Sequence, residues 1–391
     1  MDIERLESSP VGQLVGIDGI DPRTKQEFHH FAFLPDPLPD EVQLSQETWT
    51  ELYEAARAIG ALKQACSFLP NPELLIAPAL AKEAQATSAL EGTYGALPDV
   101  LEARLPGFEP KTPEVREINA YVDMAHYAFD WVKDRPITVG MLCDLQKILA
   151  EGSRRRPADP GHIRNGQVVI GPDGCTVFDA RFIPPPGDDR LLSGLSAWEQ
   201  WFNTEHRMPP LVKAALCHYQ FETLHPFSDC NGRVGRLLIV LQLLQSGELD
   251  SPSLTISPWL LRRRNQYQDH LLAVSQTGDW NPWVAFFCQA VRNQCEAHVD
   301  VAQRLVTWQS ELRSELSQRR WSGVIVQLAE ILIEWPIVTN RLVQNRFDVS
   351  APTAKSATDR LRDLGVLKEL TGRSYGQVFG ATEVMELVES L

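Results

Sequence analysis

Groups suited to phosphate chemistry lie close together in the segment His225-Pro226-Phe227-Ser228-Asp229-Cys230-Asn231-Gly232-Arg233. Apolar spacing predicts a helix over residues 211–224 that ends at His225, and a second helix that begins at Gly232 or Arg233. The loop therefore precedes a helix N-terminus, where backbone N–H groups and the positive end of the helix dipole favour phosphate. Arg233 and Arg236 share the first turn of that helix, so both can bind neighbouring phosphates.

Two further residues of this segment indicate what else the site needs. A carboxylate such as Asp229 is unexpected in a phosphate-binding loop unless a cation joins it, and Mg²⁺ commonly bridges carboxylates and phosphates. His225 is then the nearby group suited to accept a proton near neutral pH. The residues themselves therefore predict a phosphate donor, a metal ion and a base.

The segment also resembles the signature of the Fic family, His-Pro-Phe-x-(Asp/Glu)-Gly-Asn-Gly-Arg-x-x-Arg, with Cys230 in place of the first glycine. The resemblance implies an enzyme that transfers AMP from ATP to a Tyr, Thr or Ser hydroxyl of a target protein or of itself. In that family the histidine, here His225, deprotonates the hydroxyl, and the acidic residue, here Asp229, holds Mg²⁺. The resemblance implies further that Asn231 and N–H groups near Gly232 bind the α-phosphate region, and that Arg233 and Arg236 bind the outer phosphates.

Cys230 lies in the same phosphate-binding loop, where the family has glycine. A backbone anion site often requires a positive φ. Glycine adopts this conformation at little cost in free energy, whereas a residue with a Cβ loses about a kcal/mol or more. We therefore expect Cys230 to affect the efficiency of the site. Phe227 is expected to anchor the loop.

A candidate control element precedes the catalytic segment. In the helix that ends at Glu91-Gly92, Ala84, Ser88 and Glu91 share one face, which presents the Glu91 carboxylate at the unfavourable negative end of the helix dipole. The segment resembles the Fic inhibitory motif, (Ser/Thr)-x-x-x-Glu-(Gly/Asn), with Thr87 and Glu91 at its defining positions. The resemblance implies that Glu91 pairs with Arg236 and obstructs the γ-phosphate of the donor.

The Gly161–Gly171 segment is similar to the Fic flap, which binds the target alongside its Val168-Val169-Ile170 edge. An exposed β-prone edge can do this through main-chain hydrogen bonds. A buried hairpin is the alternative. Beyond the catalytic segment, the stretch that contains Asn265 and Tyr267 resembles a later helix of the family, and the resemblance implies contacts to adenine there. A role in the core is equally open for both residues.

The elements that must position these residues are mainly helical. Residues 1–40 carry five prolines and little periodicity, which predicts an extended arm. Residues 152–187 predict an ordered loop with a small strand or hairpin. The predicted helices span residues 45–65, 71–91, 115–129, 138–150, 191–202, 211–224, 234–244, 283–298 and 301–320. The fold class is thus a mainly α, Fic-type helical bundle with a small β-hairpin flap.

The pattern changes after Trp321, where a small C-terminal unit begins. Three helices (324–334, 339–346 and 351–364) and two short strands around Gly372 resemble a winged helix-turn-helix. In the third helix, Ala354, Ala357, Leu361 and Leu364 predict a buried stripe, with Thr353, Lys355, Ser356, Thr358, Arg360 and Arg362 outside and Ser350 as N-cap.

The domains expected are an N-terminal arm with the inhibitory helix (1–110), a catalytic core (111–300), a connecting helix (301–320) and the winged helix (321–391). The last has seven basic and nine acidic residues, which does not favour duplex binding. Whether this unit binds DNA or a protein stays open, as does formation of a homodimer.

The composition restricts the cellular setting. A net charge of −14 argues against a surface built to coat nucleic acid or anionic lipid. Seven scattered cysteines without a Cys-x-x-Cys pair predict free thiols in a reducing compartment. The absence of a long apolar stretch and of a basic-apolar leader predicts a cytoplasmic protein without a membrane anchor.

Two other functions compete with AMP transfer. The first is a transcription regulator whose Fic-like body acts as a sensor or dimer platform, against which the complete set of His225, Asp229, Asn231, Arg233 and Arg236 argues. The second is an enzyme of the same fold that transfers another phosphate-containing group.

Overall fold

The computed structural model describes residues 1–21, 23–67, 73–154, 156–157, 159–372 and 376–391. The strands are β1 (Gly12–Ile20), β2 (Glu27–Pro35), β3 (Ile337–Thr339), β4 (Lys368–Glu369) and β5 (Val378–Gly380). The helices before the catalytic segment are α1 (Ile3–Glu7), α2 (Gln46–Ser67), α3 (Glu73–Leu90), α4 (Leu97–Glu102), α5 (Pro113–Trp131), α6 (Val139–Gly152), α7 (Asp189–Asn203) and α8 (Pro210–Leu224). The later helices are α9 (Asn231–Gln245), α10 (Ser257–Arg262), α11 (Arg264–Thr277), α12 (Asn281–Gln318), α13 (Val324–Ile331), α14 (Asn340–Phe347), α15 (Ala351–Asp363) and α16 (Thr382–Glu389). The predicted mainly helical fold is confirmed.

The chain forms two compact units. The first comprises Met1–Arg57, Asp123–Asp250 and Leu260–Val291. The second comprises Ala58–Val122, Ser251–Trp259 and Arg292–Leu391. The segment 225–236 lies in the first unit and the predicted inhibitory motif in the second.

The core of the first unit is built around α8 and α9, whose residues are buried on nearly every side. Helix α7 packs against α8, and α6 packs against both α7 and α9. Two indole N–H groups bind backbone carbonyls of α8: Trp198 donates to Cys217 at 3.1 Å and Trp283 donates to Ala215 at 2.9 Å. Large aromatic side chains with satisfied polar atoms thus fix the two helices that flank the catalytic loop.

The N-terminal region corrects the prediction of an extended arm. Strands β1 and β2, of nine residues each, form an antiparallel hairpin in which Gly12 pairs with Pro35 and Ile20 with Glu27. Phe28 and Phe33 are 5 % and 0 % exposed. The prolines concealed this element, because the hairpin buries its side chains against residues 177–183, far away in the sequence.

Two of the predicted helices have other bounds in the structure. The separate helices predicted at 283–298 and 301–320 form the single helix α12, since no glycine or proline interrupts them. The predicted start at Asn71 lies outside the described residues, and α3 is described from Glu73. Helix α4 was not predicted.

In the second unit, β3, β5 and β4 form an antiparallel sheet in that order beside α13, α14 and α15. Strand β3 also lies against α4, and α16 packs on α3. Ala354, Ala357 and Leu361 are buried, as predicted, whereas Leu364 is only half-buried at the C-terminal end of α15. Ser350 caps α15 by accepting from the Thr353 N–H. The prediction of an exposed Thr358 was wrong, because its hydroxyl is buried and donates to Asn340 Oδ1 at 2.6 Å.

Strand β3 and helix α16 were not predicted; β3, with three residues, is too short to carry a clear periodicity. All seven cysteines are free thiols, as expected. Within the described ranges, no helix is both long and apolar enough to cross a bilayer.

Candidate functional site

The catalytic loop is closed by two residues with left-handed backbone conformation. His225 ends α8 at φ 48°, and its N–H still donates to the Phe221 carbonyl at 2.9 Å. Cys230 begins α9 at φ 76° and ψ 5°. The chain therefore turns sharply at both ends of a four-residue loop, 226–229, that lies directly before the N-terminus of α9.

The side chain of Asn231 stabilises this loop through hydrogen bonds to its backbone. Its Oδ1 accepts from the Phe227 N–H and its Nδ2 donates to the Phe227 carbonyl, both at 2.8 Å. The side chain is 2 % exposed, and Phe227 is fully buried. Asn231 thus fixes the loop and Phe227 anchors it, as expected for Phe227. The phosphate contact expected for the Asn231 side chain stays a prediction.

The imidazole of His225 is oriented by the last turn of α8. Nδ1 lies 3.2 Å from the Glu222 carbonyl, which can only accept a hydrogen bond. The neutral ring therefore carries its proton on Nδ1, so that the lone pair is on Nε2. A half-buried histidine in this tautomer is suited to accept a proton through Nε2.

Asp229 offers a carboxylate that fits Mg²⁺. Its side chain is 47 % exposed, Oδ1 accepts from the Cys230 N–H at 2.6 Å, and Arg233 Nη2 lies 3.8 Å from Oδ1. No cluster of three or more His, Cys, Asp or Glu side chains suited to a metal ion occurs among the described residues. Mg²⁺ does not need one, because it is commonly held by one or two carboxylates, phosphates and water.

Arg233 and Arg236 are each only 2 % exposed, on the first two turns of α9. Arg233 Nη2 donates to the Cys230 thiol at 3.2 Å. A buried guanidinium at a helix N-terminus adds to the positive dipole there, which strengthens binding of an anion. Gly232 leaves the start of α9 without a side chain. The structure therefore brings His225, Asp229, Cys230, Asn231, Gly232 and the two arginines into one continuous loop and helix.

Gly235 is a residue of this site that the sequence analysis missed. A Cβ at this position would lie 2.2 Å from Glu222 Oε1 and 3.0 Å from the Phe221 ring, so a larger residue would require both side chains of α8 to shift. The sequence signal is a glycine in the second turn of the helix, after Gly232 in the first.

Arg164 is a second missed residue, and it joins the flap to the catalytic loop. Its Nε donates to the His225 carbonyl at 2.7 Å and its Nη2 to the Leu224 carbonyl at 3.2 Å. Nη1 and Nη2 also donate to the carbonyls of Gly166 and Pro185, at 2.8 and 2.6 Å. Arg164 is 3 % exposed, and burial lowers its pKa to about 10, so the group stays charged at neutral pH. A cation thus binds the negative end of α8 at the residue that carries the imidazole.

The flap is less regular than predicted. Between residues 152 and 187, the described part contains one antiparallel bridge, Ile170 to Phe182, instead of a full strand or hairpin. Gln167 Nε2 donates to the carbonyls of Val168 and Pro184, both at 2.9 Å. Val168, Val169 and Ile170 are each half-buried, so the alternative of a fully buried hairpin does not describe them.

The two residues expected near adenine, Asn265 and Tyr267, have different surroundings in the structure. Tyr267 is buried, and its hydroxyl lies 2.7 Å from His218 Nε2, which gives it a core role. Asn265 lines a cavity of about 650 Å³ at the start of α11. The remaining lining residues are Leu261, Arg262, Arg263, Arg264 and Gln266.

The predicted inhibitory segment ends α3 in the second unit. Thr87 and Ser88 are fully buried, and the helix ends at Leu90, so that Glu91 lies just beyond it and is exposed. Gly92 has φ 86°, and the Thr93 N–H donates to the Ser88 carbonyl at 2.9 Å. The segment thus presents the Glu91 carboxylate from a rigid, capped helix end.

Comparison with known proteins relates these segments to one family. Residues 49–130 match the Fic/DOC family N-terminal model, and residues 136–243 match the Fic/DOC family model. Proteins named protein adenylyltransferase Fic are 32 % identical over 186 residues in Drosophila yakuba and 31 % over 185 residues in Drosophila persimilis, in each case over 45 % of this chain. The aligned part is 34 % and 33 % of the length of those relatives, about a third.

Solved structures show the same fold. A Fic family protein from Desulfovibrio desulfuricans matches 87 % of this chain and 97 % of its own, with a TM-score of 0.55 and 20 % identity. Fic-1 from C. elegans matches 66 % of this chain and 74 % of its own, with a TM-score of 0.51 and 19 % identity. The match over residues 136–243 includes the catalytic loop, and the match over 49–130 includes the helix that carries Glu91. The chain thus carries a Fic/DOC N-terminal domain over residues 49–130 and a Fic domain over residues 136–243.

Proposed function

We propose that the chain is a protein adenylyltransferase that transfers AMP from ATP to a Tyr, Thr or Ser hydroxyl of a target protein or of itself. The observation that carries this proposal is the imidazole of His225, whose Nδ1 lies against the Glu222 carbonyl, so that its lone pair is on Nε2 directly before the loop at the N-terminus of α9. The names of the Drosophila relatives add support for this reaction.

In this reaction His225 Nε2 accepts the proton of the acceptor hydroxyl. The acceptor oxygen forms a bond to the α-phosphorus of ATP, the bond from that phosphorus to the bridging oxygen breaks, and pyrophosphate leaves. Arg233, Arg236 and the N–H groups at the start of α9 hold the phosphates and their developing charge. Asp229 is the residue that would hold Mg²⁺, which supplies charge neutralisation on the phosphates when bound.

The control proposed for this site is pairing of Glu91 with Arg236. Such a pair would occupy the guanidinium that the γ-phosphate of ATP requires, so that the donor could not take its productive position. The exposed carboxylate at the rigid end of α3 supports this role.

The proposed partner is a protein segment that adds to the flap edge at Val169. Neither the N–H nor the C=O of Val169 has a hydrogen-bond partner among the described residues, so both can pair with an added strand. A homodimer and a cytoplasmic location are further proposals.

We propose that the C-terminal unit is a winged helix that contacts protein. On α15, Lys355 pairs with Asp359 at 2.6 Å and Arg362 with Asp359 at 2.9 Å. These basic groups are already compensated within the helix, which weakens any attraction for DNA phosphates.

A weakly active, Fic-like regulator is the second candidate, and the left-handed backbone of Cys230 favours it. This conformation raises the free energy of a residue with a Cβ by about 1–2 kcal/mol, and the strain destabilises the loop. Intact-protein mass after incubation with ATP and Mg²⁺ distinguishes the candidates. An increase by one adenylyl group supports AMP transfer, and an increase by one phosphate supports transfer of another group. No increase with ATP or with other nucleotides supports the regulator.

A further inference from the structure

The flap edge and the N-terminal hairpin belong to one continuous hydrogen-bonded layer. The Ile170 N–H donates to the Phe182 carbonyl at 2.9 Å, and the Phe182 N–H donates back at 3.0 Å. The next residue, Ile183, accepts from the Phe33 N–H at 2.9 Å. Since successive residues of an extended chain point their backbone groups to opposite sides, segment 182–183 lies between the flap and β2. The order across the layer is therefore β1, β2, segment 182–183 and Ile170.

Side-chain packing joins the same elements on both faces of the layer. On one face Val169 packs against a buried cluster that contains Ile17, Phe28 and Ala32 of the hairpin. On the other face Ile170 packs against a cluster that contains Phe33 and Phe182, whose rings are 5.8 Å apart. Adjacent residues of the flap are thus held by opposite faces of the hairpin.

The turn of the hairpin is closed by a buried carboxylate. Asp21 is 2 % exposed, and its Oδ1 accepts from the N–H groups of Arg23 and Thr24 at 2.9 and 2.8 Å. Hydrogen bonds from the backbone of Thr24 and Arg23 lower the pKa of this carboxyl, although burial opposes the shift. Asp21 therefore fixes the turn that joins β1 to β2, and with it the hairpin that packs on residues 177–183.

We propose that the β1–β2 hairpin holds the flap as a preformed edge strand for an extended segment of the target protein. This inference rests on the proposed function, because it concerns the acceptor side of AMP transfer. The flap itself has only one bridge, so without the hairpin Val169 and its neighbours would have to be ordered whenever a target binds. Ordering the edge in advance removes that entropic cost from binding.

The experiment measures hydrogen exchange of the Ile170 and Phe182 amides in the full chain. Two variants weaken the support at different places: Phe33→Ala removes a ring from one cluster, and Asp21→Ala releases the turn. Phe31→Ala is the matched control, because Phe31 lies on the same strand and is 46 % exposed. The amides of α8 and α9 report whether the first unit stays folded.

We expect both variants to accelerate exchange of these two amides by at least about tenfold, with α8 and α9 unchanged and with Phe31→Ala resembling wild type. In a Glu91→Gly background with ATP and Mg²⁺, both should also lower self-labelling while the affinity for ATP is unchanged. Exchange within about twofold of wild type in both variants would overturn the inference, whatever the labelling. The two tests can also separate. If exchange of the flap amides accelerates in the variants but no protein incorporates AMP, the hairpin supports the flap as inferred and the proposed function is contradicted.

Discussion

Cys230 is the residue at which the chain departs from the Fic signature, and its backbone has the positive φ that glycine adopts at low cost. We expect Cys230→Gly in a Glu91→Gly background to raise the rate of AMP incorporation by about two- to tenfold, because the loop can then approach the phosphates more closely. The stability should change by less than about 1 kcal/mol, since relief of strain and the greater freedom of the unfolded glycine oppose each other.

Cys230→Ala is the control for this prediction. Alanine keeps the Cβ and its strain but removes the thiol that Arg233 contacts at 3.2 Å. The rate should therefore not rise. Equal rates for glycine and alanine would show that the Cβ at this position does not limit the reaction.

The placement of individual site residues could be predicted where it is local in sequence. The loop, its helix N-terminus and the side chains of His225 and Asp229 follow from one stretch of chain. Arg164 could not be assigned, because its partners Leu224, His225 and Pro185 lie 21 or more residues away. The requirement for glycine at position 235 could not be predicted either, because it arises from contact with Glu222 on α8.

At the scale of elements, α3 is the control element in the proposal. Glu91→Gly should raise AMP incorporation by about five- to a hundredfold, because Arg236 becomes available to the γ-phosphate. Incorporation is measured with labelled ATP and Mg²⁺.

Glu389→Gly is the matched control, since Glu389 is also an exposed glutamate at the end of a helix, α16. It should leave the rate at the wild-type level. A Glu91→Gly rate that matches the control would mean that Glu91 only ends a helix.

Element prediction succeeded where periodicity was long and failed where contacts between distant segments decided the structure. Helices α2 and α5 to α9 were predicted to within a few residues because each carries a clear apolar face or is buried throughout. The hairpin β1–β2 was missed, since its stability comes from packing of Phe28 and Phe33 on residues 177–183. The winged helix stays a prediction.

At the scale of the whole molecule, buried histidines make stability depend on pH. Burial lowers the pKa of His218 to about 3 and that of His298 to about 4, from an ordinary value of 6.5. Below pH 6.5 the unfolded chain therefore binds protons that the folded chain excludes, so stability falls as the pH falls. The slope should approach about 1.4 kcal/mol per pH unit for each histidine between pH 6 and 5.

Urea unfolding between pH 7 and 5 checks this slope. His218→Gln should reduce it by the share of one histidine, because the amide does not titrate in this range, whereas His162→Gln, at an exposed histidine, should leave it unchanged. The same slope in His218→Gln and wild type would contradict the assignment of the pH dependence to His218.

The central claim is that His225 is the base for transfer of AMP to a hydroxyl. The most direct test compares Glu91→Gly with the double variant Glu91→Gly/His225→Ala, measuring both AMP incorporation and ATP affinity in the presence of Mg²⁺. The account predicts incorporation by the first protein, a loss of at least about a hundredfold in the second, and similar ATP affinities, because other groups hold the phosphates. Undiminished incorporation in the double variant would contradict the account.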